Sequence, residues 1–261
     1  MRLEGVSTHQ VLWTGGFDST FRVLSLLNSG NTVQPHYVVE VDRRSLSHEL
    51  KAMVHIREGI EKAHLSGTLL PLSLRLKNEI PANERVAYAF GMIRERFYLG
   101  GQYRWLAEFA KTVADQTLEL SVHRDDRAYQ CIMEFVRGRG QVRGESQSSD
   151  ELELNRAYVT LFEQFSFPLL EMTKTQMWRF ASEQGLQHLM EMTWFCFKPT
   201  MNGSPCGRCN PCQYTIQEGL GWRIPLGRRI IGALDPTVRL RQWAVHRPGA
   251  YRWLHSKLPK R

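Results

Sequence analysis

Apolar and polar positions recur with two different periods along this chain, and their order predicts strands and helices in turn. Residues 9–13 (His9, Gln10, Val11, Leu12, Trp13) form a short, mostly apolar run that stops at a glycine pair, the signature of a buried strand entering a tight turn. Residues 18–27 then place Phe21, Val23, Leu24, Leu26 and Leu27 at helical spacing and end at Asn28, Ser29 and Gly30, which terminate helices. A second strand is expected over 33–41, through Tyr37, Val38 and Val39. A helix follows over 47–64, with Leu50, Val54 and Ile60 as its apolar stripe and Ser47 as its N-cap. Residues 68–76 alternate and read as a third strand. This order predicts an α/β fold: a doubly wound parallel sheet with right-handed crossovers, whose ligand sits beyond the carboxyl ends of the strands.

Further along, the periodicity is weaker. A helix is expected over 103–115, a strand over 117–122 and another helix from Lys174 to Gly185. Residues 138–150 are polar and rich in glycine and serine, which predicts a mobile loop of the kind lids are drawn from. No internal repeat is evident.

Composition sharpens the class. The chain has 261 residues, of which 42% are hydrophobic and 23% charged, ordinary for a globular protein with one main domain and an appendage. It contains no apolar run of the roughly 20 residues needed to span a bilayer, and its first residues lack a secretory pattern, so a cytoplasmic protein without a membrane anchor is expected. The net charge of +8 is concentrated at one end. Residues 221–261 hold ten Lys or Arg against one Asp, with Trp222, Trp243, Tyr251 and Trp253 between them. Such a basic tail either contacts nucleic acid or another protein through charge and stacking, or packs its aromatics on the body as a solvated extension.

Two clusters carry chemistry. The first is Thr14, Gly15, Gly16, Phe17, Asp18, Ser19 and Thr20, placed between a predicted strand and a predicted helix. Two glycines let the backbone approach a ligand closely, and the helix start directs N–H groups at an anion. The hydroxyls of Thr14, Ser19 and Thr20 would add donors, whereas the Asp18 carboxylate tolerates phosphate only by holding Mg²⁺ or orienting the loop. The Lys-Ser/Thr ending of a Walker loop and the third glycine of a dinucleotide fingerprint are both missing. A turn capped by Asp18 is the plainer alternative.

The second cluster is Cys196, Cys206, Cys209 and Cys212. Two overlapping Cys-x-x-Cys pairs, with turns supplied by Gly203, Pro205, Gly207 and Pro211, can close a tetrahedral thiolate cage around a structural Zn²⁺. An iron–sulfur cluster is the alternative for the same ligands. Cys131, isolated among apolar residues, reads as a packing residue. The division expected is a nucleotide-binding α/β domain over 1–190 and a zinc-binding C-terminal region with a small helical extension and basic tail over 191–261.

The 14–20 loop resembles the Ser-Gly-Gly-x-Asp-Ser signature of the pyrophosphate-loop ATPases, with Thr14 replacing the first serine. Together with the cysteine pattern it resembles the 7-cyano-7-deazaguanine synthases. Pro168-Leu169-Leu170, Lys174, Gly185, Thr193-Trp194-Phe195-Cys196 and Pro205-Cys206-Gly207-Arg208-Cys209-Asn210-Pro211-Cys212 follow that family in order and spacing, and His48-Glu49-Leu50 is similar to it as well. The resemblance covers about residues 9–65 and 167–220.

The resemblance implies an ATP-dependent ligase that adenylates a deazapurine-like carboxylate, releasing pyrophosphate, for attack by an amine donor. Asp18, Ser19 and Lys174 would be catalytic, with ATP, Mg²⁺ and Zn²⁺ bound and a homodimer as the assembly. The middle of the chain departs from the family. Ser121-Val122-His123 and Arg124-Asp125-Asp126-Arg127 stand where the family carries its substrate loop, so Arg104, His123, Asp125, Asp126 and Arg127 are the expected substrate residues. Two other functions stay open: a pyrophosphate-loop enzyme that modifies a nucleic-acid base, and a non-catalytic nucleotide-binding subunit of a multi-protein system.

Overall fold

The computed structural model describes residues 8–113, 117–140 and 148–245. The chain divides into two compact units: Met1–Asp42 with Glu49–Trp194, and Arg43–His48 with Phe195–Arg261.

The first unit is built on a parallel sheet. Strands β1 (Thr8–Leu12), β2 (Thr32–Val39), β3 (Thr68–Leu69), β4 (Ser73–Leu76), β5 (Leu118–Glu119) and β6 (Phe165–Ser166) run in the order β3-β2-β1-β5-β6, with β4 also on β2. Every pairing is parallel, in registers such as Leu12↔His36, Val11↔Glu119 and Leu118↔Phe165. Parallel strands need crossovers, and helices supply them: α1 (Phe17–Asn28), α2 (Leu46–Ala63), α3 (Glu84–Arg96), α4 (Gln102–Ala110), α5 (Tyr129–Gly140) and α6 (Ser149–Phe162) lie between strands, while α7 (Lys174–Glu183) and α8 (Gln187–Glu191) follow β6. Helices on both faces explain why Val33, Tyr37 and Val38 of β2 are all buried. One large core, with Ile93, Leu99, Leu118, Ile132, Leu161, Phe162 and Phe165 at its centre, fills the α3–α6 side.

The doubly wound sheet expected from the sequence is present, and the details correct several boundaries. The stripe of α2 is Glu49, Ala52, Met53, Ile56 and Ile60, while Val54 is exposed. The helix begins at Leu46, so Ser47 lies inside its first turn instead of capping it. The third strand is broken into β3 and β4 around Pro71, whose missing N–H cannot join a ladder. The strand expected over 117–122 is only the two residues of β5.

The expected loop at 138–150 is helical at both ends: α5 runs to Gly140, and Ser148 caps α6 through a capping box with Glu151. Its centre, 141–147, lies outside the described residues, as does 246–261 of the basic tail. No helix among the described residues is long and apolar enough to cross a membrane.

Sheet order marks the place where ligands generally bind in folds of this kind. From β1 the chain moves to β2 on one side and later to β5 on the other, so the order reverses between β1 and β5. A crevice opens beyond the carboxyl ends of strands at such a point. The 14–20 loop leaves β1 there, and residues 120–126 leave β5 beside it.

The second unit carries α9 (Asn210–Thr215), which includes Cys212, followed by α10 (Leu226–Leu234) and α11 (Pro236–Val245). Part of what the sequence offers as a basic tail is therefore helical.

Candidate functional site

The 14–20 loop owes its shape to glycine. Gly15 has φ +66, and a Cβ there would lie 2.9 Å from Met53 Cγ and 3.0 Å from the Glu49 carbonyl oxygen. Both the dihedral and the space demand a residue without a side chain. The Trp194 N–H donates to the Gly15 carbonyl at 2.8 Å and pins the turn from outside. Within it, the Thr14 N–H donates to Ser19 Oγ at 3.2 Å, and the Thr14 and Ser19 hydroxyls lie 3.3 Å apart. Phe17 stacks on Trp178 of α7, ring centroids 6.3 Å apart.

Gly16 precedes α1 in extended conformation and no side chain caps the helix start. An uncapped first turn is a site of positive potential with N–H donors directed outward. Thr20 does not contribute its hydroxyl to that surface. It is fully buried, and its Oγ1 accepts the indole N–H of Trp13 at 3.0 Å.

Asp18 is the acidic residue of this first turn, and three charged or polar groups gather round it. Lys174 Nζ, at the start of α7, lies 3.6 Å from Asp18 Oδ2. His123 Nε2 lies 3.7 Å from Asp18 Oδ1. That Oδ1 is buried and makes no hydrogen bond. Asp126 belongs to the same electrostatic group. Burial raises its pKa above the usual carboxylate value, and the negative charge of Asp18 raises it further, while its bond from the Ala128 N–H and the charges of His123 and Lys174 oppose them. Two carboxylates, a lysine and a histidine thus face one helix start, a donor set that suits an anion together with a hard cation.

The other expected substrate residues make different side-chain contacts. Asp125 is exposed, and its backbone N–H donates to His123 Nδ1 at 3.1 Å. The Arg127 guanidinium sits over the Tyr98 ring, 5.3 Å from its centroid. Arg104 pairs with Glu108 one turn along α4. A cavity of about 300 Å³ lined by Gln10, His36, Ser73, Arg75 and Phe109 is also distinct from the loop.

Sequence reasoning missed the groups that hold the site from a distance. Trp178, Trp194 and Met53 reach the loop only through tertiary structure. Glu119 on β5 is similar: it is buried, accepts two bonds from Arg22 of α1 at 2.6 and 3.0 Å, and pairs with His9 Nδ1 at 2.7 Å. Its place in an alternating strand gave no sign of that pairing.

In the second unit, Cys196, Cys206, Cys209 and Cys212 are buried, and their four sulfurs all lie within 4.8 Å of one another. Sulfur separations of 3.8 Å (196 to 209), 3.9 Å (206 to 212) and 3.5 Å (209 to 212) bracket the roughly 3.8 Å edge of a tetrahedron with metal–sulfur bonds of about 2.3 Å. Backbone N–H groups of Cys209 and Arg208 point at Cys206 Sγ, at 3.3 and 3.4 Å, and that of Cys206 points at Cys196 Sγ, at 3.2 Å. Such donors stabilise thiolates and orient ligands. Hydrogen bonds from Cys196 and the other two cysteines hold the Cys206 thiol well below its ordinary pKa.

Gly207 (φ +72) lets this knuckle lie against α10: a Cβ would come within 2.2 Å of the Arg228 carbonyl oxygen. The arrangement is a closed four-cysteine cluster suited to a metal such as zinc. Cys131 lies in the first unit, buried in α5, as a packing residue should.

Residues 106–220 match the family model described as QueC, queuosine biosynthesis protein QueC. This stretch is a QueC-family domain, and it contains His123, Asp126, Lys174 and all four clustered cysteines. The 14–20 loop precedes the match, so its reading rests on its own geometry. No curated protein matches the chain.

Proposed function

We propose, with the QueC-family domain as the premise, that this chain is an ATP-dependent carbon–nitrogen ligase that adenylates a deazapurine-like carboxylate. The observation that carries the proposal is the buried Oδ1 of Asp18, left without a hydrogen bond at the uncapped start of α1 and flanked by Lys174 and His123. Buried polar atoms find partners, so an unpartnered carboxylate oxygen beside an anion site calls for a ligand that brings a cation with it. ATP with Mg²⁺ meets both needs.

In this reading the glycine backbone and the α1 start bind the β- and γ-phosphates, with Ser19 closing the turn. Asp18 would hold the Mg²⁺, which would neutralise charge on the leaving group. Lys174 reaches the same phosphates and balances the charge that builds on them as the α–β bond breaks. The substrate carboxylate oxygen attacks the α-phosphorus, pyrophosphate leaves with the bonding electrons, and the acyl adenylate is opened by an amine with loss of AMP. Residues 121–127 at the end of β5 form the wall nearest the carboxylate, with Asp126 and His123 on its inner side. The zinc held by Cys196, Cys206, Cys209 and Cys212 would have no open coordination position and serve structure alone. A multi-iron cluster spreads its thiolates over separate irons, and four sulfurs this close favour a single ion.

The test is to incubate the protein with ATP, Mg²⁺, ammonium and 7-carboxy-7-deazaguanine and identify products by mass spectrometry. An adenylate, amide or nitrile of that carboxylate, with AMP, is expected. Tight ATP binding without AMP, across deazapurine carboxylates and amine donors including peptide N-termini, contradicts the ligase and leaves a nucleotide-binding subunit.

A further inference from the structure

His123 is a buried imidazole that faces Asp18, and its two ring nitrogens have separate tasks. Nδ1 accepts the backbone N–H of Asp125 at 3.1 Å. A nitrogen that accepts carries no proton, so the neutral ring holds its proton on Nε2. Nε2 is the nitrogen directed at Asp18 Oδ1, 3.7 Å away. That oxygen is the buried one with no hydrogen bond, while Oδ2 of the same carboxylate faces Lys174 at 3.6 Å.

We infer that His123 is a positioning residue for Asp18. Its Nε2–H, fixed in that tautomer by the Asp125 backbone, closes on Oδ1 when a cation and phosphates enter, and so sets the carboxylate plane that presents Asp18 to the ligand. The inference deepens the ATP reading and rests on it. Contacts of this kind are commonly long in a site without ligand and shorten in the complex. A partner that hydrogen-bonds a metal-binding carboxylate typically changes metal affinity by about 10- to 100-fold when removed. The backbone supports the same role. Residue 123 is held by a bond from the Asp126 N–H to its carbonyl, and Arg124 N–H bonds the Met172 carbonyl just before Lys174, so the histidine and the lysine are tied to one another across the site.

Two side chains separate the nitrogens. The amide nitrogen of Gln reaches the place of Nε2, whereas Asn reaches only the place of Nδ1. His123→Gln is therefore expected to keep the affinity for Mg²⁺·ATP within about 3-fold of the parent, and His123→Asn to lose about 10-fold or more. Both are read by calorimetric titration with Mg²⁺·ATP, with zinc content and thermal unfolding followed alongside. Nitrogen-15 NMR of histidine-labelled protein gives an independent readout. The His123 signal, identified by its disappearance in His123→Gln, should report a protonated Nε2 and an unprotonated Nδ1, and Nε2 should shift on adding Mg²⁺·ATP.

Equal affinities for the Gln and Asn variants, or a proton on Nδ1, overturn the inference. If the parent protein binds no Mg²⁺·ATP, the ATP reading itself fails, while the tautomer still decides the geometry proposed for His123.

Discussion

Lys174 Nζ stands 3.6 Å from Asp18 Oδ2, joining the first residue of α7 to the first turn of α1. The lysine is mostly buried, and the Thr173 hydroxyl caps its helix by accepting the Gln176 N–H. Its ammonium is therefore held at the site by a formed helix start and not by a flexible surface arm. Lys174→Met should lower the rate of pyrophosphate release by about 10²-fold, the usual cost of removing one preorganised electrostatic partner. Circular dichroism should stay unchanged, because the capping box does not use the side chain of Lys174. A rate within 2-fold of the parent, an allowance of roughly 0.4 kcal/mol, would remove the lysine from the mechanism.

Two hydroxyls of the loop should behave differently. Thr20 gives its oxygen to the Trp13 indole inside the core, whereas Ser19 is tied to Thr14 within the turn. Thr20→Val should cost about 1 kcal/mol of stability through the lost hydrogen bond and leave nucleotide affinity intact. Ser19→Ala should weaken nucleotide binding and, by removing the acceptor of the Thr14 N–H, also cost about 1 kcal/mol of stability. Equilibrium unfolding in urea and nucleotide titration, run on both variants, measure the two effects separately.

The four-cysteine cluster predicts one metal ion per chain. Elemental analysis should find zinc at a one-to-one ratio, and Cys212→Ser should lose it. A chelator should release four reactive thiols and no more. Cys131 should stay unlabelled, because burial pushes its thiol up to about 12 and hides it in α5. Stoichiometric iron with sulfide in place of zinc would contradict the assignment.

Asp126 predicts a pH signature of its own. Its pKa is raised, with burial as the largest cause. A carboxyl whose folded value exceeds its unfolded one favours the fold while protonated, and that contribution disappears as pH rises through the folded value. Asp126→Asn should therefore gain stability relative to the parent as pH climbs above the usual Asp value of 3.8, and the gain should level off once the parent's group is ionised. Denaturant midpoints over a pH series check the sign. A parent that becomes steadily more stable than Asp126→Asn over that climb would reverse it.

The local features of the site were legible in the sequence. Gly15, Gly16 and Asp18 announce a strand-to-helix turn because backbone freedom and helix-start chemistry are properties of neighbouring residues. The cysteine cluster was legible for the same reason, since three of its ligands fall on one short turn. What could not be read is whatever depends on distant packing. Thr20 reads as a phosphate donor until Trp13 is seen to occupy it, and Val54 fits an apolar stripe that the fold turns outward. The wall after β5 was the least legible: His123 and Asp126 turn inward, Asp125 outward, and only the bonds of that loop decide which. Helices α3 and α6 gave no clear periodic signal: their buried positions, Val86, Ala89 and Ile93 in one and Ala157, Tyr158, Leu161 and Phe162 in the other, are scattered or confined to one end.

In the proposed reaction Asp18 and its loop hold ATP for attack at the α-phosphorus. The most direct measurement is to supply ATP labelled at the α-phosphate with the carboxylate substrate and separate the labelled products, for the parent and for Asp18→Ala with its zinc in place. Carboxylate-dependent AMP is expected from the parent, with a loss of about 10²-fold or more in Asp18→Ala. Labelled ADP as the product, or AMP from Asp18→Ala at the parent's rate, would contradict it.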